Sequence, residues 1–420
     1  MHPRNPYRNP PDFKELANAY EPLRRHLIQT AAGTATVNFK DELAQRTLTK
    51  ALLHRDFNLS LSIPSDRLCP PARRLNYVLW IQDIIHATRC CYPRDTRIRG
   101  IDIGTGASAI YPLLLCRLSP EWRMVGTELD ERSLRCGQEN IARNNLSNQI
   151  HIVPAMRDGP ILPASVVTST SSFDFTMCNP PFYSSAEDIV RSAECKEFEP
   201  SAVCTGAEVE MITEGGECLF VRRMVEESLH FRERCSWYTS MLGKLSSVSE
   251  VVALLHSNSI DNYGITEFTQ GQTRRWAIAW SFGDVHLPDT LARISNPTLR
   301  SDMPAHTILQ EPIPTRLSLS SVRSLLESIP GVVVASDPVS QGSGLVCTAA
   351  ANTWSRAARR KFASSSMVVA PSDYPILVTR LAVCPAESSC LLEFAWVRGR
   401  DRGAFESFCS HVARKLRDAV

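Results

Sequence analysis

Strand patterns alternate with helix patterns in the middle of the chain, over residues 97 to 282. Four stretches have the apolar character of short buried strands, and they are TRIRGIDI, WRMVGTELD, IHIVPA and FDFTMC. Amphipathic segments such as RSLRCGQENIARNN follow strands with the spacing of helices. Strands and helices that alternate in this way form a largely parallel sheet with helices on both faces. The sequence therefore predicts an α/β fold with a doubly wound sheet.

The remaining patterns predict parts on either side of this sheet. Residues 1–70 carry helix spacing in PDFKELANAYEPLRRHL and KDELAQRTLTKALLHRDF, which predicts an N-terminal helical module. The doubly wound domain is expected over 71–288. Residues 289–310 are rich in proline, serine and aspartate, which is typical of a linker. Over 311–420, helix patterns enclose four strand patterns, which predicts a small C-terminal α+β domain.

Composition excludes several classes of protein. Hydrophobic residues make up 43% of the chain and charged residues 21%, which is typical of a soluble globular protein. No apolar run approaches the roughly 18 residues of a membrane helix, and MHPRNPYRNPPDF lacks the apolar core of a signal peptide. The 14 cysteines include no Cys-x-x-Cys pair, so a reduced intracellular compartment fits best. We expect no metal, no membrane association and no obligate protein partner.

A glycine turn follows the first strand of the sheet. In IDIGTGAS, Gly104 and Gly106 allow the backbone to turn sharply and to approach a ligand closely. Asp102 stands at the end of that strand, and Glu128 ends the second strand, where an acid can accept the hydroxyls of a ribose. The dinucleotide fingerprint needs a third glycine, which Ala109 replaces. These features fit nucleosides in general and also an ordinary α/β turn, so they leave the ligand open.

The fourth strand ends in an Asn-Pro-Pro-Phe loop. Prolines have no backbone N–H to donate, so the strand is expected to stop at about Cys178. The loop falls at the carboxyl edge of the sheet, where α/β proteins bind ligands. The Asn179 side-chain oxygen and the Pro180 carbonyl can accept the two N–H groups of an exocyclic amine, while Phe182 can stack on the attached base. The alternative is a proline loop with a turn-forming asparagine.

In this order, the glycine turn, the acid at the second strand end and the Asn-Pro-Pro-Phe loop resemble those of one family. It is the methyltransferase-like family that writes N6-methyladenosine in U6 small nuclear RNA. Bacterial relatives of that family act on an adenosine of large-subunit ribosomal RNA. The blocks that carry the resemblance are PPDF, NFKD, RLNYVLW, GIDIGTGAS, TELD, CNPPF, EGGE, WYTSMLGK, QGQT and RRWAIAWSF, and they extend from Met1 to about Asp284. The resemblance implies a class I Rossmann-like methyltransferase fold. It also implies in-line methyl transfer from S-adenosylmethionine to the exocyclic amine of a flipped adenosine.

The resemblance assigns roles to individual residues. Arg74 matches an arginine that binds the methionine carboxylate of the cofactor, and the position that contacts the cofactor's adenine falls near Asp158. The implied catalytic residues are Asn179, Pro180, Pro181 and Phe182. The implied cofactor-binding residues are Arg74, Asp102, Gly104, Gly106, Ser108, Glu128, Asp158 and Asn179.

The partner implied by the resemblance is RNA, with U6 small nuclear RNA as the expected substrate. The expected location is therefore the nucleus, with presence in the cytoplasm also compatible. The implied RNA-binding residues are Arg4, Arg8, Lys40, Lys244, Arg274 and Arg275. The chain departs from the family at Gln272, where a second arginine is usual. Because the net charge is only +2, RNA affinity has to come from local basic patches.

Two basic segments make the C-terminal third a further RNA-binding candidate. WSRAARRKF clusters four cations beside two aromatic residues, although a solvated helix face gives the same pattern. In WVRGRDRG, Arg398, Arg400 and Arg402 would face one side if the strand continues through them. Metazoan members of the family carry RNA-binding C-terminal regions of the kinase-associated type, to which this α+β order is similar.

Two other interpretations of the catalytic loop stay open. Asn-Pro-Pro-aromatic loops also serve enzymes that methylate a guanine amine or a glutamine amide of release factors, but those enzymes lack the PPDF and NFKD module. A different class is a non-catalytic or slow RNA-binding protein, such as an RNA chaperone or a sensor of cofactor level. Analysis of the nucleosides in RNA incubated with protein and cofactor would separate the three.

Overall fold

The chain folds into two units with separate hydrophobic cores. The structure is a computed structural model that describes residues 1–31, 33–67, 70–89, 97–162, 172–189, 211–271, 273–314, 317–338, 344–363, 375–385 and 389–418. As far as they are described, Met1–Ile85, Arg94–Phe282 and Ile294–Met303 form the first unit. The second unit takes His86–Pro93, Gly283–Arg293 and Pro304–Val420.

Helices and a short hairpin precede the large sheet. They are the 3-10 helices Pro6–Arg8 and Glu21–His26, the helices α1 (Phe13–Ala19), α2 (Glu42–Phe57) and α3 (Pro71–Arg89), and the strands β1 (Leu27–Gln29) and β2 (Ala35–Val37). The aspartates of the PPDF and NFKD blocks cap two of these helices. Asp12 and Asp41 each accept two backbone N–H groups in the first turn that follows them. Both blocks therefore have a structural role at a helix start.

A seven-stranded sheet forms the body of the first unit. Its strands are β3 (Arg99–Ile103), β4 (Arg123–Glu128), β5 (Ile150–Pro154), β6 (Phe173–Cys178), β7 (Cys235–Leu242), β8 (Tyr263–Gln270) and β9 (Thr273–Trp280). They lie in the order β5-β4-β3-β6-β7-β9-β8, parallel from β5 to β7 and antiparallel from β7 to β8. The chain direction across the sheet reverses between β3 and β6, which is the point where ligands bind in open α/β sheets.

Helices flank this sheet, as the alternating pattern predicts. They are α4 (Ile110–Leu118), α5 (Glu131–Arg143), α6 (Gly216–Phe231) and α7 (Leu245–Ser257), with a 3-10 turn at Arg232–Arg234. Asp130 caps α5 by accepting the Ser133 N–H at 2.9 Å. The predicted doubly wound fold is confirmed, and so is the predicted end of the fourth strand at Cys178. Among the described helices, none has the length and the hydropathy needed to cross a membrane.

The second unit contains an antiparallel sheet with helices packed on it. Its strands are β10 (Ile308–Ile313), β11 (Val332–Ser336), β12 (Gly344–Ala349), β13 (Leu377–Pro385) and β14 (Cys390–Arg398), in the order β10-β14-β13-β12-β11. Its helices are α8 (Asp289–Ala292), α9 (Leu319–Glu327), α10 (Arg356–Ala363) and α11 (Arg402–Asp418). Phe394, Phe405 and Phe408 are fully buried in the core between sheet and helices. The predicted α+β order is therefore present in this unit.

The segment between the two predicted domains contains regular structure. A 3-10 helix covers Pro297–Asp302, and Leu299 within it is fully buried in the core of the first unit. The Ser249 hydroxyl donates a hydrogen bond of 2.6 Å to Asp302, and the Tyr263 hydroxyl donates one of 2.9 Å to the Asp302 carbonyl. This part of the segment is therefore packed against α7 and β8.

Candidate active site

The carboxyl ends of β3, β4 and β6 bring the predicted cofactor and catalytic residues to one edge of the sheet. In the parallel register, Ile103 lies beside Cys178 on one side and beside Thr127 on the other. Glu128 ends β4, and Asn179 directly follows β6. Ile103 and Asn179, which are 76 positions apart in the sequence, therefore meet at the switch point between β3 and β6.

Asp102 is a buried carboxylate without a hydrogen-bond partner for either oxygen among the described residues. Burial, and to a smaller extent the nearby charge of Glu128, together raise the pKa of this carboxyl from 3.8 to about 7, against a lowering effect of Thr105. Arg74 lies close enough for its charge to oppose this shift in the pKa of Asp102. A buried acid without a partner is costly for the fold. Such a group fits the recognition of a cationic or N–H-bearing ligand.

The glycine turn and Glu128 are held together by backbone hydrogen bonds. Gly104 and Gly106 have φ values of 69° and 70°, a region that favours glycine. The Gly106 N–H donates to the Glu128 carboxylate at 2.7 Å, while the N–H groups of Leu129 and Asp130 donate to its other oxygen at 2.9 Å each. A carboxylate has about four acceptor sites. Glu128 therefore retains capacity for a ribose hydroxyl.

Arg74 is oriented by an aromatic neighbour. Its Nη1 donates to the Tyr111 hydroxyl at 2.9 Å, and its guanidinium carbon lies 5.5 Å from the centroid of the Tyr111 ring. The first contact fixes the direction of the fork, and the second adds a cation–π attraction. Ser108 lies half-buried between the glycine turn and α4. Both placements agree with a cofactor site at this edge of the sheet.

The Asn-Pro-Pro-Phe loop leaves an acceptor unused. Asn179 is half-buried, and its Oδ1 is a buried atom without a hydrogen-bond partner among the described residues. Pro180 is buried, while Pro181 and Phe182 are half-buried. The guanidinium carbon of Arg275 lies over the Phe182 ring, 5.1 Å from its centroid. An unpaired amide oxygen on the same loop as an aromatic ring is suited to a planar base that carries an amine.

Glu217 is linked to this loop through Gly243 and was given no role from the sequence. It is 2% exposed and accepts three hydrogen bonds, from the N–H groups of Gly243 and Lys244 and from the Ser247 hydroxyl, at 2.5 to 2.8 Å. A Cβ at Gly243 would lie 2.8 Å from the Phe182 ring and 3.0 Å from the Glu217 carboxylate. The sequence signal available for Glu217 was its position as the last residue of EGGE, directly after two glycines at the start of α6.

Two exposed apolar side chains flank the cofactor edge and were also missed. Leu129 follows β4 and is 42% exposed, while Met156 lies just after β5 and is 75% exposed. The Ala155 N–H donates to the Glu128 carbonyl at 2.8 Å, which holds the two strand ends side by side. Asp158 lies exposed in the turn that follows Met156. Large apolar residues directly after adjacent strand ends were the signal for an aromatic ligand surface.

The basic residues of the N-terminal part lie in different surroundings. Arg4 pairs with Asp83 of α3 at 2.5 Å and donates to the Leu79 carbonyl at 3.1 Å, so the segment around it is packed against α3. Arg8 is exposed and donates to the Pro3 carbonyl at 3.5 Å. Lys40 is exposed in the turn before α2.

The other three predicted RNA-binding residues are Lys244, Arg274 and Arg275. Lys244 pairs with Asp188 at 3.2 Å, just after the loop. Arg274 is exposed and lies 3.7 Å from Glu267 across the β8–β9 hairpin, while Arg275 lies over Phe182. Gln272 lies outside the described residues. Arg275 therefore contacts the predicted catalytic loop.

The expected row of arginines in WVRGRDRG does not form. Strand β14 ends at Arg398 and α11 begins at Arg402, with Gly399 at a φ of 145° between them. Arg398 pairs with Asp284 at 2.9 Å, and Arg402 pairs with Glu406 at 2.7 Å. The prediction of one basic strand face was therefore wrong, because the glycine breaks the two-residue alternation of side chains.

The second basic segment does lie on a helix. WSRAARRKF forms most of α10, which carries Arg356, Arg359 and Arg360. Burial lowers the pKa of His411 on α11, and the charges of Arg359, Arg414 and Lys415 lower it further. Cations of α10 and α11 therefore lie close enough to His411 for their charges to lower its pKa. No group of three or more potential metal-ligating side chains occurs in the part of the chain that the structure describes.

Comparisons with known proteins identify the family of this chain. A family model described as RNA methyltransferase matches residues 1–284. The chain is 39% identical over 394 residues to the U6 small nuclear RNA (adenine-(43)-N(6))-methyltransferase of Schizosaccharomyces pombe, which covers 93% of this chain and 98% of that relative. It is 38% identical over 344 residues to the RNA N(6)-adenosine-methyltransferase METTL16 of Mus musculus, which covers 80% of this chain and 61% of the relative.

Solved structures show the same fold. The crystal structure of the hMettl16 catalytic domain in complex with MAT2A 3'UTR hairpin 1 matches with a TM-score of 0.61 and 40% identity, over 67% of this chain and 95% of that chain. The N-terminal domain of human METTL16 in complex with SAH matches with a TM-score of 0.56 and 39% identity, over 68% and 99%. This chain thus spans nearly all of the yeast relative and about three fifths of the mouse relative.

Proposed function

Because this chain belongs to the RNA methyltransferase family, we propose that it transfers a methyl group from S-adenosylmethionine to N6 of an adenosine in RNA. The observation that carries the proposal is the buried Oδ1 of Asn179, which has no hydrogen-bond partner among the described residues at the switch point of the sheet. An acceptor in that state is suited to an N–H group from outside the chain.

We propose U6 small nuclear RNA as a substrate and the nucleus as the site of action. The yeast relative that matches 93% of this chain is named for methylation of that RNA. The RNA hairpin bound to the hMettl16 catalytic domain supports a structured RNA as the general class of substrate.

The residues at the cofactor edge fit S-adenosylmethionine. When bound, this cofactor supplies an electrophilic methyl group on a sulfonium. The Arg74 fork suits a carboxylate, and the buried Asp102 suits the amino group beside that carboxylate, because a cation offsets the cost of burying its charge. Glu128 retains capacity for a ribose hydroxyl. Leu129 and Met156 offer apolar surface to the adenine.

The catalytic loop acts on the amine. Asn179 Oδ1 and the Pro180 carbonyl accept hydrogen bonds from the two amine N–H groups, which favours a tetrahedral nitrogen and stabilises the charge that develops on it. As the nitrogen forms its bond to the methyl carbon, the bond from that carbon to sulfur breaks, and the cationic nitrogen then releases one proton to solvent. Phe182 holds the base by stacking after the adenosine has left its own stack. Alignment of this kind can supply roughly 7–11 kcal/mol of barrier reduction. Because the leaving group is a neutral thioether, the proposal needs neither a metal nor a covalent nucleophile.

The second unit is proposed to add RNA affinity. Its support is that Arg359 of α10 and Arg414 and Lys415 of α11 all lie close enough to His411 to lower its pKa. Positive side chains on two neighbouring helices suit a phosphate backbone, which binds without regard to sequence. In this proposal the first unit selects and methylates the adenosine, while the second holds the surrounding RNA.

Mass spectrometry of nucleosides tests the proposal. Purified protein is incubated with S-adenosylmethionine and U6 small nuclear RNA, and the RNA is digested to nucleosides. We expect N6-methyladenosine from the wild-type protein and none from Asn179→Ala, with RNA affinity largely retained in the variant. Methylguanosine would replace the adenosine proposal with the related guanine chemistry. RNA binding without any methylated nucleoside would assign the chain to the RNA-binding class.

A further inference from the structure

The hydroxyl of Tyr77 contacts the last residue of β6, directly before the catalytic loop. Tyr77 belongs to α3 and its side chain is fully buried. Its hydroxyl oxygen lies 3.2 Å from the backbone N–H of Cys178 and 2.6 Å from the hydroxyl of Thr239. Cys178 is the last residue of β6, and Asn179 follows it directly.

The direction of each hydrogen bond follows from the number of protons available. The Thr239 hydroxyl donates its proton to the Thr176 carbonyl at 2.8 Å. It must therefore accept from Tyr77, because a hydroxyl carries one proton. The Tyr77 oxygen in turn accepts the Cys178 N–H. Tyr77 is thus used both as a donor to β7 and as an acceptor from β6.

These contacts replace the regular strand ladder at its catalytic end. The paired residues of β6 and β7 run only as far as Phe175 and Trp237. Two residues later, the Thr239 N–H donates to the Thr176 hydroxyl at 3.3 Å. Side-chain hydroxyls therefore join the two strands where backbone pairing has ended.

We propose that Tyr77 is a positioning residue for methyl transfer, which fixes Asn179 by holding the Cys178 amide at the end of β6. This inference rests on the proposed function, in which Asn179 accepts the reacting amine. A change in the direction of the Cys178 peptide moves the Asn179 acceptor relative to the base. Alignment within a fraction of an ångström is what such a site requires.

The placement of Tyr77 also relates the two halves of the site. Arg74 precedes it by one helical turn on α3, and the ring of Tyr111 packs edge-on against Tyr77 with centroids 5.7 Å apart. The Tyr111 hydroxyl also accepts the hydrogen bond from Arg74 Nη1. One helix therefore carries the carboxylate-binding arginine and the tyrosine that holds the catalytic strand.

Tyr77→Phe tests the proposal, because it removes one oxygen and keeps the ring. At saturating RNA and cofactor, we expect kcat to fall by about tenfold to a hundredfold, with the Kd for S-adenosylhomocysteine within about twofold of wild type. Tyr238→Phe is the matched control, since it also removes a buried hydroxyl, one that donates to the Arg232 carbonyl at 2.8 Å. We expect the control to keep its kcat within about twofold, since its hydroxyl donates to the carbonyl of Arg232, just after α6, and not to the amide before Asn179.

Hydrogen exchange measures the same contact without catalysis. The peptide over residues 174–183 contains Pro180 and Pro181, which have no backbone N–H. Its exchange is therefore measured on few amides, and the Cys178 amide held by Tyr77 is one of them. We expect faster exchange there in Tyr77→Phe and not in Tyr238→Phe. An unchanged kcat in Tyr77→Phe, or equal losses in both variants, would overturn the inference. A wild-type protein that binds RNA without methylating it would instead overturn the proposed function.

Discussion

The guanidinium carbon of Arg275 lies 5.1 Å from the centroid of the Phe182 ring, above its face. A cation in this position is attracted by the electrons of the ring. Arg275 belongs to β9, and Phe182 to the loop after β6. The contact therefore connects the hairpin that is proposed to bind RNA with the loop that is proposed to hold the base.

Replacement of Arg275 by leucine is expected to lower kcat as well as RNA affinity. The loss of a cation–π contact of about 0.5–2 kcal/mol corresponds to a decrease of about twofold to thirtyfold. Arg274→Leu is the matched comparison, because Arg274 is 62% exposed at its side chain and pairs with Glu267. It should weaken RNA binding and lower its salt dependence, with kcat retained at saturating RNA. Steady-state kinetics at several salt concentrations measure both effects, and equal kcat losses would contradict the coupling.

Glu217→Gln is expected to lower kcat by more than a loss of stability at the start of α7 can explain. The carboxylate holds Gly243 against the Phe182 ring and also accepts from the first turn of α7. An amide in its place turns one acceptor into a donor that faces backbone N–H groups. Ser247→Ala removes one of the hydrogen bonds to Glu217 and keeps the contact with Gly243. Melting temperature and kcat are measured for both variants.

The two variants of this carboxylate network separate capping from positioning. If the network only caps α7, kcat should follow the melting temperature in the same way in both proteins. If Glu217 positions Phe182, Ser247→Ala should keep most of its kcat at a comparable melting temperature. If Ser247→Ala loses kcat without a lower melting temperature, the contact between Glu217 and Gly243 does not explain how Phe182 is positioned.

Asp102→Asn is expected to stabilise the cofactor-free protein and weaken cofactor binding. Burial raises the pKa of Asp102 from 3.8 to about 7. Between these values the folded protein keeps a proton that the unfolded chain has released. Stability therefore falls as pH rises from about 4 to about 7, by about three units at about 1.36 kcal/mol each, or about 4 kcal/mol.

Urea unfolding at pH 5 and pH 7.5 checks this prediction. The asparagine does not titrate, so the decrease in the free energy of unfolding between the two pH values should be smaller in Asp102→Asn than in wild type. Calorimetric titration with S-adenosylhomocysteine should show a weaker Kd in the variant, because the amide lacks the charge that attracts an amino group. An unchanged pH dependence would show that Asp102 does not hold the extra proton.

The sequence predicts the sheet because its strands and helices repeat locally, and it predicts Asp102, Glu128 and Asn179 because each stands at a strand end. It could not predict the contact of Tyr77 with Cys178, since 101 residues separate them and nothing local links a helix tyrosine to that amide. The same holds for Glu217, whose partners come 26 to 30 residues later. The basic row at the end of β14 was predicted wrongly, because the effect of Gly399 depends on a backbone angle that composition does not reveal.

Arg359→Ala and Arg414→Ala are expected to lower RNA affinity without changing methyl transfer to a short RNA that contains only the target. Both arginines belong to helices of the second unit, and both lie close enough to His411 to lower its pKa. If each contacts one phosphate, each substitution should lower the slope of log K against log salt by about one. Arg402→Ala is the control, since Arg402 pairs with Glu406 at 2.7 Å and donates to the His306 carbonyl at 2.9 Å. Fluorescence anisotropy with full-length U6 RNA at 50 to 200 mM salt, which is about the range where such contacts change affinity most, measures the slopes. An equal slope in all three variants and wild type would assign the second unit a role other than binding the RNA backbone.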